Sequence, residues 1–496
     1  MKKKVAVIGA GIAGLSAGSY LQKFGFDTEI FEAHSKPGGL CSWWNRTGFT
    51  IDGCIHWLPG FQSTGDMYPL WKDIIPIDES EIHFFEELYQ IVGSDGEVFR
   101  AFIDIKKLEE EMLRIAPEDT KQIRKFIKLV RKFKRVVIPI LKPFKLMSLK
   151  EKLDFIFMIL SRGRLILKLS RMTCADYGEK FLNPLLRRFF NSSYLPFLPF
   201  ISIVVNSNWM VKEGVGYPLG GSQKLIEMIV GEYEKTGGKI HYNSPVEKII
   251  ITEKQTRGLK TKDETHYFDY VISTGDYHET LQRLIGEEHL GRKQRKWFTN
   301  SDADTISGLF ISIGLKGKVF KNKEHRIFFK CEEPIVLNKG NEITELEVTI
   351  YDFDSTATPE DHTLLTLFFY TDDGRYWIDL RENDKIAYNE EKKKLLEEVI
   401  DRFEKQFGEI SDKIVFTDIA TPATFKRYTR NWKGGIHGWY ITPEIFKKVI
   451  PKTIKGLKNF YMTGQWIESY GGVTNCLKGG RHVAQLIAQD FKKRDA

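Results

Sequence analysis

Residues 2–44 read KKKVAVIGAGIAGLSAGSYLQKFGFDTEIFEAHSKPGGLCSWW, and two readings compete for them. Three lysines, an apolar run and small residues loosely satisfy a secretory signal peptide. The glycines decide otherwise. Gly9, Gly11 and Gly14 form G-x-G-x-x-G directly after a β-type run, Val5 to Ile8. They open a helical segment, Ile12 to Phe24, whose larger apolar residues are Ile12, Leu15, Tyr20, Leu21 and Phe24. A second strand, DTEIFEA, ends in Glu32 and Ala33, with Glu32 eighteen residues past Gly14. In such a unit the first glycine permits the tight turn, the second lets the backbone approach a pyrophosphate, and the third lets helix and sheet pack closely. The helix start at Ile12 and Ala13 faces the phosphates, and the acid accepts a hydrogen bond from a ribose hydroxyl. The stretch predicts a dinucleotide site and an N-terminus retained on the mature protein.

Length and composition suit that reading. A chain of 496 residues is too long for one ordinary core, so two or three domains are expected. Hydrophobic content of 42% with 28% charged residues describes a globular protein. The five cysteines, Cys41, Cys54, Cys174, Cys331 and Cys476, include no C-x-x-C pair, so no disulfide framework and no metal site is expected. A reducing cytoplasm is the natural compartment, and the triplets at Asn45 and Asn191 are then chance glycosylation matches.

The net charge of +8 is unevenly spread. Residues 121–171 hold sixteen Lys/Arg against Glu151 and Asp154, which leaves the remainder of the chain net acidic. In KQIRKFIKLVRKFKRVV the apolar residues Ile123, Phe126, Ile127, Val130, Phe133 and Val137 recur at helical spacing between cations, a basic amphipathic helix. IPILKPF interrupts it, and LDFIFMIL, GRLILKLS and YLPFLPFISIVV follow. None reaches the ~20 apolar residues of a membrane span. The segment is expected to lie peripherally on an anionic membrane surface with its apolar face among acyl chains. Solvated helices are the plainer alternative. No nucleic-acid module is visible, and the interleaved residues are mostly aliphatic.

After Glu32 come Gly38 and Gly39, then Leu40 and Cys41. Consecutive glycines let backbone amides approach a long, bent dinucleotide. The C-terminal run NFYMTGQWIESYGGVTNCLKGGRHVAQLIAQDF reads as a strand (Phe460 to Thr463), Gly464, a loop, the pair Gly471-Gly472 and a helix from about Val473 to Phe491. The helix N-terminus suits the electron-rich side of a flavin. The sequence resembles the phytoene desaturase, carotenoid isomerase and retinol saturase superfamily of FAD-dependent oxidoreductases, with the amine oxidases as wider relatives. GVGYPLGGSQKLIEMIVGEYEKTGGKIHYNSPVEKIII, FDYVISTGDYHET and PATFKRYTRNWKGGIHGWYITPE resemble its middle segments. The resemblance implies FAD held at Gly9, Gly11, Ile12, Ala13, Gly14, Glu32, Ala33, Gly38, Gly39, Leu40, Gly464, Gly472 and Val473, with the backbone of Val246 at the adenine edge. It also puts His56 beside the flavin ring as the candidate catalytic side chain and lets Trp466 and Tyr470 flank that ring. Many relatives carry Arg after the glycine pair, where Leu40 stands here, and GFTIDGCIHW around Asp52 and His56 is closer to the isomerase and saturase branches.

The resemblance implies an α/β chain with a discontinuous Rossmann-type FAD domain (residues 1–70, 214–290 and 455–496). A substrate domain with an antiparallel sheet (71–109 and 291–454) and a basic helical cap (110–213) complete it. ISGLFISIGL, ITELEVTIYDF and HTLLTLFFYT are its expected strands. The expected chemistry is hydride transfer at flavin N5 on a hydrophobic polyene or isoprenoid, as desaturation, saturation or cis–trans isomerisation. An amine oxidase-like flavoenzyme and a non-catalytic flavin- or lipid-binding protein are the alternatives.

Overall fold

The structure, a computed structural model, describes residues 2–134, 140–191, 196–298, 304–320, 325–337, 340–468 and 471–495. Val137 and Tyr470 lie outside them.

Five parallel strands build the nucleotide sheet, in the order Lys239–His241, Asp27–Phe31, Lys4–Ile8, Tyr270–Ser273, Phe460–Met462. Its strands thus come from the start, the centre and the end of the chain. Val5, Ala6 and Val7 are fully buried, as a parallel strand covered on both faces requires. Helix Ile12–Lys23 follows the first strand, and its buried residues from Ile12 to Leu21 pack it under the sheet. The last helix, Val473–Asp495, lies against it, with Ser16 Oγ donating to the Leu477 carbonyl at 2.7 Å. A Cβ on Gly480 would come within 2.6 Å of the Ala13 carbonyl, so the approach of these two helices depends on that glycine.

The second sheet has seven strands, in the order Ile414–Ala420, Ser307–Lys316, His362–Thr371, Glu342–Ile350, Arg326–Val336, Glu87–Val92, Val98–Phe102. Every junction is antiparallel except that between Arg326–Val336 and Glu87–Val92, which is parallel. The expected antiparallel sheet is therefore a mixed one. The hairpin 87–102 comes from a distant part of the chain and joins the sheet beside Arg326–Val336.

Among the described residues, the cap region between Ile105 and Glu213 holds six α-helices: Ile105–Ile115, Thr120–Lys132, Leu149–Arg171, Cys174–Gly178, Pro184–Asn191 and Ile201–Glu213. They share a core with the hairpin 87–102 and Phe328 of the seven-stranded sheet, in which Phe126, Phe181, Phe190 and Phe200 are fully buried. The basic helix Thr120–Lys132 turns Ile123, Phe126, Ile127 and Val130 into that core at 0–1% exposure. The expectation that this stripe lies among acyl chains is overturned, because neighbouring helices already cover it. The outward apolar surface is instead on Leu149–Arg171, where Leu149, Phe157 and Leu160 are 73–79% exposed. No helix among the described residues is long and apolar enough to cross a membrane.

Candidate cofactor and substrate site

One cavity of about 870 Å³ is bounded by the nucleotide sheet, the cap and the seven-stranded sheet. Of the sequence-selected residues, Gly9, Gly11, Ile12, Ala13, Glu32, Ala33, Gly38, Gly39, Leu40, His56, Val246, Gly464, Gly472 and Val473 all line it. Gly14 does not. A Cβ there would stand 1.9 Å from the Gly9 carbonyl oxygen, so its role is to let the helix pack on the turn.

Gly9 has φ +98°, which only glycine adopts without cost at this turn. Gly11 caps the first helix without a side chain. The amides of that first turn are therefore left to a ligand. A Cβ on Gly11 would meet no protein atom closer than the Gly38 carbonyl oxygen at 3.8 Å, so its hydrogen keeps space open to the cavity. Gly38 answers to a different demand. Its amide donates to the Ala10 carbonyl at 2.9 Å and its φ is +115°, so this glycine pair ties the loop to the first turn. Gly472, φ +75° with open space beside it, precedes the last helix.

Glu32 is buried at the cavity edge. Its Oε2 accepts from the Ala10 amide at 2.7 Å and its Oε1 from the His34 amide at 2.8 Å. Each carboxylate oxygen retains a second lone pair, sufficient for a ribose hydroxyl. The Val246 carbonyl accepts from Arg283 Nη2 at 3.0 Å, which fixes that strand at the rim. Two helix starts without side-chain competition, a fixed acid and glycine-cleared space fit a dinucleotide.

His56 faces the cavity, its Nδ1 3.4 Å from Thr349 Oγ1 and 3.5 Å from the Tyr351 hydroxyl. Burial, with Arg326 and His325 adding to it, pushes its pKa down to about 3, so the ring is neutral at physiological pH. Asp52 is structural. Its carboxylate accepts from the Cys54, Ile55 and Ser222 amides and from Ser222 Oγ, clamping this segment to the start of helix Gly221–Lys235. Trp466 is 1% exposed, donates from Nε1 to Asn431 Oδ1 at 3.2 Å and packs edge-on to Trp439. It does not line the cavity, so its expected place beside a flavin ring is not what packing gives it.

Sequence reasoning passed over the far wall. Phe133, Ile166, Ile201, Val205 and Trp209 from the cap line it, together with Arg326, Tyr370 and His437. Arg326 had one visible signal, a cation that opens the apolar run RIFF within a strand-like segment. Lys478 on the last helix also lines the cavity, and burial lowers its pKa to about 8. Among the described residues no cluster of three or more His, Cys, Asp or Glu side chains is placed to hold a metal.

A discontinuous parallel sheet with a glycine turn, a buried acid and a second helix start at the same cavity fits a dinucleotide-binding protein. The chain belongs to the flavin containing amine oxidoreductase family, whose profile matches residues 12–488. FAD is its cofactor. It is 23% identical over 529 residues to prolycopene isomerase 2 of an Oncidium hybrid cultivar, covering 98% of this chain and 84% of that one. It is 24% identical over 519 residues to 1-hydroxycarotenoid 3,4-desaturase of a Flavobacterium, covering 98% and 99%. A solved putrescine oxidase shares the fold at TM-score 0.63 with 13% identity, covering 100% and 99%.

Proposed function

We propose that the protein is an FAD-dependent oxidoreductase acting on a hydrophobic polyene or isoprenoid as a desaturase, saturase or isomerase. Two relatives that align along nearly its whole length act, by their names, on carotenoids, and a third that covers 92% of it acts, by its name, on retinol. Residues 1–70, 214–290 and 455–496 would hold the cofactor, 71–109 and 291–454 the substrate, and 110–213 the cap. FAD supplies a hydride acceptor or donor at N5. The chain's own part is to bind and orient. Gly11 and Gly472 clear space for the dinucleotide, Glu32 holds the ribose, and the walls keep water from the reacting carbons.

The observation that carries the substrate reading is the character of the far wall. It is mostly aliphatic and aromatic, with Ser202, Asn206 and His437 as neutral polar members, and among the described residues Arg326 is the charged side chain that the seven-stranded sheet contributes to it. The cavity-lining carboxylates, Glu32, Asp276 and Glu279, all lie on the nucleotide side. Asp276 already accepts from the Glu279 and Trp432 amides at 2.8 Å each. A protonated amine would meet a guanidinium there and no free carboxylate, which disfavours the amine oxidase alternative.

The exposed apolar side chains of Leu149–Arg171 and the cations among them fit a peripheral membrane face. That helix also contributes Ile166 to the cavity wall, so a lipid-soluble substrate would have a short path from bilayer to site. The test incubates oxidised and dithionite-reduced holoenzyme with carotenoid and retinoid polyenes and separates the products by chromatography. A changed double-bond count or geometry is the expected result. Peroxide released with amines, and no polyene product, would establish the other class.

A further inference from the structure

We infer that Arg326, Tyr370 and His56 form a polar end to this apolar cavity that binds a neutral oxygen terminus, a hydroxyl or carbonyl, of a long apolar substrate. Arg326 is the residue that sets the preference. The inference rests on the polyene reading above and narrows it to oxygenated molecules.

Arg326 opens the strand Arg326–Val336 and lines the cavity. Its Nε donates to Glu347 Oε1 at 2.7 Å, and Nη2 contacts the same oxygen. Nη1 has no hydrogen-bond partner among the described residues, so its two N–H groups are the donors left over. A guanidinium half-spent on a carboxylate and half turned to a cavity is a donor site of fixed geometry. Tyr370, near the end of His362–Thr371, lines the same cavity, and its hydroxyl lies within the electrostatic reach of both Glu347 and Arg326. His56 approaches from the loop after Phe49–Asp52, its Nδ1 turned to Thr349 and Tyr351. Three polar groups from three separate segments thus meet on a mostly apolar wall, with Ser202, Asn206 and His437 among its other polar side chains. Such a small convergent set is what orients a ligand in an apolar pocket.

Charge selects the ligand. Arg326 and Glu347 cancel one another. Burial keeps the Tyr370 phenol protonated and the His56 ring neutral. The His437 ring, 6.1 Å from that of Tyr370, is likewise pushed toward its neutral form by burial. The patch as a whole is therefore neutral but rich in donors. A hydroxyl or carbonyl satisfies those donors. A carboxylate would bring an uncompensated charge into the apolar cavity, and an ammonium would face the guanidinium. A pure hydrocarbon would bury Nη1 without a partner, a cost that falls on the wrong ligand.

The test titrates the FAD-loaded full chain with three probes sharing one polyene chain: all-trans-retinol, all-trans-retinoic acid and the hydrocarbon bearing CH3 in place of CH2OH. Binding is read from quenching of protein tryptophan fluorescence. Retinol is expected to bind about ten- to hundredfold tighter than the hydrocarbon, the range for one hydrogen bond to a charged donor. Arg326→Leu combined with Glu347→Leu should bring that ratio to within about threefold without leaving a lone buried charge. Tyr370→Phe, which keeps the ion pair, should lower it by a smaller factor. A wild-type ratio within threefold, with both polyenes bound, overturns the inference and leaves the polyene reading standing. Retinoic acid bound more tightly than retinol overturns the assignment of a neutral terminus. Absence of binding by any of the three removes the polyene reading and the inference together.

Discussion

Helices Thr120–Lys132 and Leu149–Arg171 have similar compositions, cations mixed with large apolar residues, and opposite surroundings. In the first, Ile123, Phe126, Ile127 and Val130 fall at i, i+3, i+4 and i+7, and all are buried. In the second, apolar residues occur all around the axis, only Met158, Leu169 and Ser170 are buried, and Leu160 is 79% exposed. A helix with one clean stripe has an apolar face that a few neighbours can cover. A helix with more apolar surface than its neighbours can cover leaves the surplus outside. The patch that a membrane or another apolar partner would meet is therefore set by the surplus, not by the basic amphipathic pattern that first attracts notice.

Acid gives the largest expected effect on the buried side of this comparison. Burial holds His56, His325 and His482 at about 3 and His278 at about 4, well below the ordinary imidazole value near 6.5. Below that value the unfolded chain binds protons that the folded chain does not. Stability from these rings is full above about pH 6.5 and falls as pH drops toward 4. Asp276 works the other way, its pKa raised to about 6 by burial, and burial raises Asp52 and Glu213 as well, but these three carboxylates stand against five rings once His437, also lowered by burial, is included. Calorimetry across pH 4–8 should show Tm falling steeply below about pH 6.5. A flat profile would mean that the rings are protonated in the fold, and the neutral cavity wall would be misread.

A paired substitution breaks or sharpens the helix comparison itself. Phe126→Ala should cost about 3–5 kcal/mol in denaturant unfolding, the range for a large side chain removed from a packed core. Leu160→Ala should cost less than about 0.5 kcal/mol, as an exposed position does. Phe157→Glu with Leu160→Glu should leave folding intact and weaken sedimentation with anionic vesicles by about tenfold or more, since each large apolar side chain contributes about 1.5–3 kcal/mol when buried. Equal stability costs at Phe126 and Leu160, or unchanged vesicle binding, would remove the distinction.

The nucleotide half was the more legible in sequence because backbone conformation sets it, and glycine is the residue type that reports backbone conformation. Gly9, Gly11 and Gly14 each had one dominant physical reason to be glycine, and the strand, helix and acid around them fell at the expected places. HTLLTLFFYT likewise became a strand over its whole length. The far wall was not legible. Arg326, Tyr370 and His437 come together through a seven-stranded sheet and a loop whose pairing depends on contacts across much of the chain. The fate of Trp466 depended on Asn431 and Trp439, which local pattern does not connect to it.

FAD content per chain tests most directly whether the first glycine turn holds the dinucleotide. It is measured from the visible absorption of purified protein after reconstitution, with the released cofactor identified by chromatography, for wild type and Gly11→Val. Gly11 has φ −73°, and a Cβ there meets no protein atom within 3.4 Å, so the variant should fold while its side chain occupies the dinucleotide's space. About one FAD per wild-type chain is expected, with loss of most of it in the folded variant. Full occupancy in Gly11→Val, or a wild type that takes up no FAD, would contradict that reading of the turn.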